Sequence, residues 1–137
     1  DVPKNLDDGT PFPTMFWLTC PMYIKKVSTL ESHGMVKELD NQLNRNRKLR
    51  KLWSKRQKSY EKERNRKYKN VNNTVSPIGG VGGAVNSIKC LHSHLADELV
   101  TGKNIVGQIV LENVGGCNCN EPCVTEGTKN DNWRSEW

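Results

Sequence analysis

Apolar residues recur at helical spacing between positions 87 and 101. The repeat is formed by Ile88, Leu91, Leu95 and Leu99. Intervals of three and four residues place these side chains on one face of a helix. Asn86 or Ser87 is suited to cap the N-terminus, and Gly102 suits the left-handed position after the last turn. The pattern predicts an amphipathic helix over residues 87–101 that packs one face on a core.

Three further segments carry helix signals of their own. Pro21 suits the first position of a helix over residues 21–32. Helical spacing resumes at Met35, after a glycine break. Apolar residues return over positions 105–111, which predicts a short helix or turn that closes the core and ends at Gly115.

The N-terminal part of the chain changes from polar to apolar sequence. Residues 1–11 offer little to bury, and we expect a disordered lead-in there. Residues 15–18, Met-Phe-Trp-Leu, form an apolar run that is too short for a helix of its own. We therefore expect this run to cross the core as a short extended segment.

Residues 45–69 carry more positive charge than the whole protein. They contain thirteen Lys and Arg against two Glu, a net charge of +11, whereas the whole chain carries +6. The segment has one apolar stripe, formed by Leu49, Leu52, Trp53 and Tyr60. This pattern predicts a long basic helix that docks only its first half and projects or frays beyond Tyr60.

The basic helix is a candidate surface for a polyanion, such as RNA, DNA or polyphosphate. The candidate contacts are Arg47, Lys48, Arg50, Lys51, Lys55, Arg56 and Lys58. Trp53, Tyr60 and Tyr68 could stack on bases, but no base-reading motif accompanies the charge. Docking on an acidic protein surface is an equal alternative.

Residues 76–84 form a glycine-rich loop, SPIGGVGGA. The loop lacks the Gly-Lys-Ser/Thr ending of a phosphate loop and the spacing of a dinucleotide-binding turn. We interpret it as a flexible closure that reverses the chain between helices.

Together these patterns predict an all-α fold, a small single domain of four or five helices with a short extended segment in its core. Residues 12–116 form the helical domain, and residues 117–137 form a polar tail that contains cysteines. No apolar run has the length that a bilayer requires, and no signal peptide is evident. We expect a cytoplasmic location, with an organellar location after removal of a targeting segment as the alternative.

Five cysteines make an odd count, which does not suit a fully paired disulfide framework. The candidate metal ligands are Cys20, Cys90, His92, His94, Cys117, Cys119 and Cys123. Cys90 and His94 are four residues apart and would share a helical face. Zinc held by Cys and His, or an iron-sulphur cluster held by four cysteines, fits this set. The C-x-C and C-x-x-x-C spacings are loose, and unrelated thiols without a metal are the alternative.

The cysteines also raise the question of an enzyme. Thr19 or Cys20 is the expected N-cap of the helix over residues 21–32, where the helix dipole favours a thiolate. His92 or His94 could activate Cys20 or Cys90 as a nucleophile. No nucleophile signature or carboxylate pair supports catalysis. We therefore expect a metal-binding or redox-sensitive module that uses its basic helix to bind a partner, rather than an enzyme.

Three blocks of sequence resemble one family. They are PFPTMFWLTCP near the start, IKCLHSHLADELVTG with NIVGQIV in the middle, and NEPCV near the end. They are similar to the PTLFWLTCP and KCLHAHLA blocks of a bacterial family known as domain of unknown function 501. The matching positions are Thr19, Cys20, Pro21, Lys89, Cys90, Leu91, His92 and His94. The resemblance runs from about Thr10 to Val124 and implies a family without an established activity.

Overall fold

The computed structural model describes residues 2–3, 5–67 and 76–133. This part of the chain contains five α-helices and one small antiparallel sheet. The helices are α1 (Pro21–Ser32), α2 (Met35–Arg45), α3 (Arg47–Lys67), α4 (Leu91–Thr101) and α5 (Ile105–Val114). The strands are β1 (Val124–Thr125) and β2 (Thr128–Lys129). The predicted all-α fold is confirmed. Among the described helices, none is both long and apolar enough to span a bilayer.

The hairpin of α4 and α5 forms the centre of the core and contacts α1 and α3. Six apolar side chains there have no exposed surface: Met22, Val27, Leu91, Leu95, Val106 and Val110. Burial of each such side chain stabilises the fold by roughly 1.5–3 kcal/mol relative to exposure. The core therefore joins the first helix of the chain to the last two.

A close approach between α4 and α5 explains a glycine in the middle of the second helix. A Cβ at Gly107 would lie 2.2 Å from the His94 carbonyl oxygen. The turn between the helices uses Gly102 at φ +63°, as predicted, and the Asn104 side chain caps α5 by accepting from the Gly107 N–H at 2.9 Å. The two helices can pack tightly because residue 107 has no side chain.

The predicted helices around the core are confirmed in three places. α1 begins at Pro21 and ends at Ser32, with Cys20 as its N-cap. α2 begins at Met35, directly after Gly34, which adopts φ +86°. α5 covers the predicted segment and ends before Gly115. Local signals were sufficient at these boundaries because the deciding residues are adjacent in sequence.

The predicted start of α4 is wrong, because residues 86–90 are not helical. Cys90 is the N-cap, and the extended backbone before it carries the buried side chain of Ile88. Carboxylates from other helices bind this segment: Asp40 accepts from the Ile88 N–H at 2.8 Å, and Glu31 accepts from the Leu91 N–H at 2.6 Å. Because these carboxylates belong to α1 and α2, the sequence around the start of α4 does not indicate where the helix begins.

Leu99, which the pattern assigned to the buried face of α4, is 47% exposed. The buried face includes the polar residues His94 and Asp97 instead. A polar network with α3 and α5 therefore occupies positions that apolar periodicity cannot identify.

α3 docks along its whole described length, which differs from the predicted half-docked helix. Tyr60 is 1% exposed and Arg64 is fully buried. The Met15 N–H donates to the Tyr60 hydroxyl at 2.7 Å. The Arg64 guanidinium donates to the carbonyls of Pro13, Gly79 and Pro77. Hydrogen bonds to loops hold the second half of α3 on the domain. The scarcity of apolar residues there therefore led to the wrong prediction that this half projects or frays. The predicted helix residues 68 and 69 lie outside the described part.

The glycine-rich loop also packs on α3. Gln57 accepts from the Val81 N–H at 3.0 Å and donates to the Ala84 carbonyl at 3.3 Å. A Cβ at Gly80 would lie 2.7 Å from the Gln57 side chain. A short 3-10 turn, Val81–Gly83, follows this contact. The loop is therefore a structured element, and its glycines permit close contact with the helix.

The two ends of the described chain contain local structure. Residues 5–11 form a turn with a bridge between Asn5 and Pro11. In the following apolar run Met15 and Leu18 are buried as expected, whereas Trp17 is 62% exposed. The tail contains the hairpin of β1 and β2, and its residues 134–137 lie outside the described part.

A candidate metal centre at the start of helix α4

Three side chains with metal-binding atoms meet where the extended segment enters α4. Cys90 and His92 come from this junction, and Glu31 comes from the last turn of α1. Their ligand atoms all lie within 4.8 Å of one another, and all three residues are half-buried. The Cys90 Sγ lies 3.9 Å from the His92 Nδ1, and the Glu31 Oε1 lies 3.3 Å from the same nitrogen. We use the name metal centre for these three residues as a candidate site.

Backbone conformation brings Cys90 and His92 together. Cys90 is extended, with φ −147° and ψ 117°, and His92 is the second residue of the helix. Because Cys90 is extended, its side chain does not follow the helical periodicity that would place it with His94. Spacing in sequence pairs Cys90 with His94 only if both residues are helical. Since the helix begins at Leu91, the imidazole nearest to the Cys90 sulfur is that of His92.

The hydrogen bonds of His92 fix which ring nitrogen faces the other two residues. The Nε2 lies 3.2 Å from the Ile24 carbonyl oxygen and 3.2 Å from the Ser28 Oγ. A carbonyl oxygen can only accept, so Nε2 carries a hydrogen that it donates to Ile24. In the neutral ring the lone pair is then on Nδ1, which faces Cys90 and Glu31. This arrangement is typical of a metal-binding histidine oriented by a backbone carbonyl.

The positions of Cys90 and Glu31 around the His92 ring fit a metal site better than a nucleophilic catalyst. In a Cys-His-carboxylate relay the cysteine and the carboxylate contact different ring nitrogens. Here both face Nδ1. Tetrahedral zinc, with bonds of about 2.3 Å to sulfur and about 2.0 Å to nitrogen and oxygen, separates sulfur from nitrogen by about 3.6 Å and nitrogen from oxygen by about 3.3 Å. The observed nitrogen–oxygen separation is 3.3 Å and the sulfur–nitrogen separation is 3.9 Å, whereas the sulfur and oxygen atoms lie within 4.8 Å of each other.

A cleft adjoins two residues of the metal centre, Cys90 and His92. It has a volume of about 270 Å³ and is lined by Phe16, Trp17, Leu18, Ile24, Cys90, His92 and Ser93. The largely apolar wall would exclude bulk water from one side of an ion held by three ligands. A fourth position, for water or a small ligand, would face this cleft.

The sequence is also similar to a described family. A family model described as "Protein of unknown function (DUF501)" matches residues 2–112. The chain belongs to this family. The resemblance drawn from the sequence blocks is confirmed, although the match ends before the tail. Neither the comparison with curated proteins nor the comparison with solved structures found a match. The DUF501 segment contains all three residues of the metal centre.

His94, also within the DUF501 segment, lies in a different environment from the metal centre. It is 1% exposed, and its Nδ1 lies 3.0 Å from the Asn104 Oδ1. That oxygen already accepts from the Gly107 N–H, and the Asn104 amide donates to Asp97, so Nδ1 of His94 is a donor. Burial lowers the pKa of His94 from 6.5 to about 4. The structure therefore places His94 in a polar core network.

The remaining predicted ligands, all cysteines, lie outside the metal centre. Cys20 precedes α1, whereas Glu31 of the metal centre is eleven residues further along, or roughly 16 Å along the helix axis. The Sγ atoms of Cys117 and Cys119 lie 3.7 Å apart, and both side chains are exposed. Cys123 is half-buried. The structure thus brings together two of the seven predicted ligands, Cys90 and His92, at the metal centre.

The predicted basic surface is present with one exception. Six of its members are exposed on α3: Arg47, Lys48, Arg50, Lys51, Lys55 and Lys58. Arg56 is 4% exposed and donates twice to Asp97, at 2.7 and 2.8 Å, and also to Glu63. Arg56 therefore anchors α3 to α4 and is not available to a partner.

Glu31 is the member of the metal centre that sequence reasoning missed. Its carboxylate belongs to a helix sixty positions before Leu91, the residue whose N–H it accepts. No spacing rule relates it to Cys90 and His92. Its only local signal is an acidic residue near a helix C-terminus, where the helix dipole disfavours negative charge.

Proposed function

We propose that the protein binds a transition metal ion of the zinc class through Cys90, His92 and Glu31. The observation that carries this proposal is the convergence of one sulfur, one nitrogen and one oxygen donor on a single point. The carbonyl of Ile24 orients the histidine nitrogen toward that point. The backbone N–H of Leu91 orients the carboxylate in the same way.

The donor set favours zinc over an iron-sulphur cluster. A cluster takes mainly cysteine thiolates, commonly four, whereas this centre offers one. A mixed set of sulfur, nitrogen and oxygen suits zinc and its neighbours in the first transition series. A metal ion here would link α1 to the start of α4, so it would also stabilise a small core. Three protein ligands leave one position for water or a small ligand at the cleft.

A cobalt(II) titration followed by zinc competition tests this proposal. Reduced protein under anaerobic conditions is expected to bind one ion at this centre, with a sulfur-to-metal absorption band that zinc abolishes. Cys90→Ser should remove the band, and Glu31→Gln should weaken affinity by about 10–100-fold or more because a charged ligand is lost.

Cys123→Ser and His33→Gln are the matched controls, since each removes a cysteine or a histidine outside the centre. Both should bind the ion as tightly as the parent protein. If Cys90→Ser keeps full affinity and the band, the centre does not bind the metal.

A second candidate function is the binding of a polyanion or an acidic protein through α3. The six exposed cations lie before the first acidic residue of that helix, Glu61. None of the six forms an ion pair with a carboxylate in the part of the chain that the structure describes. Their charge is therefore available to an external partner, and the metal centre would form a separate site on α1 and α4.

A further inference from the structure

A second cleft lies between α3 and the glycine-rich loop. It has a volume of about 380 Å³, and no residue of the metal centre lines it. This volume is within the usual range of small-molecule sites, toward its lower end. We call this space the loop cleft.

The wall of the loop cleft contains a polar group without a partner. Trp53 lines the cleft and is only 4% exposed. Within the described part of the chain, its indole N–H has no hydrogen-bond acceptor. Buried donors are nearly always paired, because an unpaired donor loses its hydrogen bonds to water and gains none in return. An acceptor that enters the cleft would supply the missing partner.

Two cations line the same cleft. They are Arg50 and Lys58, and both are exposed. The guanidinium of Arg50 lies 5.7 Å from the centroid of the Trp53 ring. Neither cation forms an ion pair with a carboxylate among the described residues. An anionic group that pairs with Arg50 would therefore lie beside the indole whose N–H lacks an acceptor.

Glu61 limits the charge of the ligand. Its carboxylate also lines the cleft and accepts from the Gly79 N–H at 3.0 Å. Among the described residues, the lining has two positive side chains and one negative side chain, so the wall carries a net charge of +1. A carboxylate monoanion balances this charge, and its two oxygens match the fork of a guanidinium. A phosphate dianion would leave excess negative charge near Glu61.

The backbone of the glycine-rich loop is not arranged to bind a phosphate. The Gly80 N–H donates to the Ala84 carbonyl at 2.8 Å, and the Val81 N–H donates to Gln57 at 3.0 Å. A phosphate loop instead directs its backbone N–H groups at the ligand. The charge for an anion in this cleft therefore comes from side chains of α3.

The loop side of the cleft has exposed apolar side chains. Ile78 and Val85 line it, and they are 77% and 58% exposed. A ligand with an apolar body would remove their surface from water, which favours binding. The cleft thus combines a site for one negative charge with an apolar surface.

We propose that the loop cleft binds a small organic carboxylate with an apolar body. Arg50 pairs with the carboxylate, the indole N–H of Trp53 donates to one of its oxygens, and Ile78 and Val85 cover the apolar body. This site is independent of the metal centre, none of whose residues it uses. It also differs from a polyanion surface along α3, because it needs the cleft and a single negative charge.

Two-dimensional NMR of nitrogen-15-labelled protein in a metal chelator tests this inference, with cyclohexanecarboxylate as the probe. The indole N–H resonances of the four tryptophans are assigned first. The probe should move the Trp53 indole proton downfield in a saturable manner, because a new hydrogen bond deshields that proton. The aliphatic ring of the probe adds no ring-current shift of its own.

A matched pair of variants tests the role of the cation. Arg50→Gln should weaken the affinity for cyclohexanecarboxylate by at least about tenfold, because a charge-assisted hydrogen bond is lost. Arg47→Gln removes an exposed cation of the same helix that does not line the cleft, and it should keep the parental affinity. Both residues are exposed, so neither change threatens the fold.

The two parts of the ligand are tested separately. Acetate lacks the apolar body and cyclohexylmethanol lacks the charge, so each should bind at least about tenfold more weakly than the probe. Ile78→Ser should weaken binding of the probe by roughly threefold or more. Val100→Ser, which changes an exposed apolar residue outside the cleft, should not weaken it.

Three results would overturn the inference. They are an unchanged Trp53 indole resonance at saturating probe, equal affinities for acetate and cyclohexanecarboxylate, and equal losses of affinity in Arg50→Gln and Arg47→Gln. The last result would mean that the general charge of α3, and not the cleft, attracts the anion.

Discussion

His92 and His94 lie two positions apart in α4 and have opposite surroundings. The His92 side chain is 24% exposed, and its Nδ1 faces Cys90 and Glu31. His94 is 1% exposed and belongs to a hydrogen-bond network with Asn104. The two residues have the same chemistry in sequence, and only the position of the helix start distinguishes them. One histidine is available to a ligand, and the other is a core residue.

The buried His94 should make stability depend on pH. Its pKa is about 4 in the folded protein, against 6.5 ordinarily, because burial disfavours the charged ring. The unfolded chain therefore takes up a proton that the folded chain excludes. The contribution of the neutral His94 ring to the free energy of unfolding is fully present above pH 6.5. It is lost as the pH falls toward 4, and the loss is about 3 kcal/mol.

Urea unfolding of metal-free protein in a chelator, at several pH values between 7 and 4, measures this dependence. His94→Gln should lower stability at pH 7 and flatten the pH profile. His33→Gln, which changes an exposed histidine, should keep the parental profile. An equal slope in His94→Gln and the parent would contradict the assignment of the neutral ring.

Individual residues of the metal centre were only partly predictable. Cys90 and His92 were among the candidate ligands named from residue type and proximity in sequence. Glu31 was missed because it lies on α1, sixty positions before the residue whose N–H it accepts. His94 was grouped with Cys90 because the predicted start of α4 was too early. That boundary is decided by the carboxylates of Glu31 and Asp40, which bind the chain before the helix.

At the level of elements, the contact between α3 and α4 depends on a buried ion pair. Arg56 donates to both oxygens of Asp97, and both residues have under a tenth of their surface exposed. Arg56→Met should cost about 3–5 kcal/mol in the free energy of unfolding. Within the described part of the chain, it leaves the buried Asp97 carboxylate with one side-chain donor, the amide of Asn104.

Thermal or urea unfolding measures that cost. Arg47→Met is the matched control, since it removes a cation from the exposed face of the same helix and should change stability by less than about 0.5 kcal/mol. If Arg56→Met is as stable as Arg47→Met, the ion pair does not hold the two helices together.

The elements themselves were predicted well where local signals decide them. Pro21 marked the start of α1, and Gly102 and Gly115 marked the ends of α4 and α5. The docking of α3 was not predicted, because Tyr60 and Arg64 bind backbone groups of the N-terminal segment and the glycine-rich loop. Such contacts join residues distant in sequence, and hydrophobic periodicity does not report them.

At the level of the whole molecule, charge is segregated onto one helix. Charge reversal of Lys51, Lys55 and Lys58 to Glu should weaken binding to a polyphosphate chain. It should also reduce the slope of log affinity against log salt by about 2–3, because three phosphate contacts are lost. Fluorescence anisotropy at several salt concentrations measures both quantities.

A control with the same change in net charge reverses Lys37, Lys89 and Lys129, which are exposed outside α3. This variant should retain most of the parental affinity and slope. Equal losses in the two variants would mean that net charge, and not the α3 surface, governs binding. Neither variant should alter the metal content.

The most direct test of the metal centre is X-ray absorption at the zinc edge on protein loaded with one equivalent of zinc. We predict one sulfur ligand at about 2.3 Å, with the remaining ligands nitrogen or oxygen at about 2.0–2.1 Å. Cys90→Ser should remove the sulfur contribution. A spectrum with three or four sulfur ligands, or protein that binds no zinc, would contradict a centre formed by Cys90, His92 and Glu31.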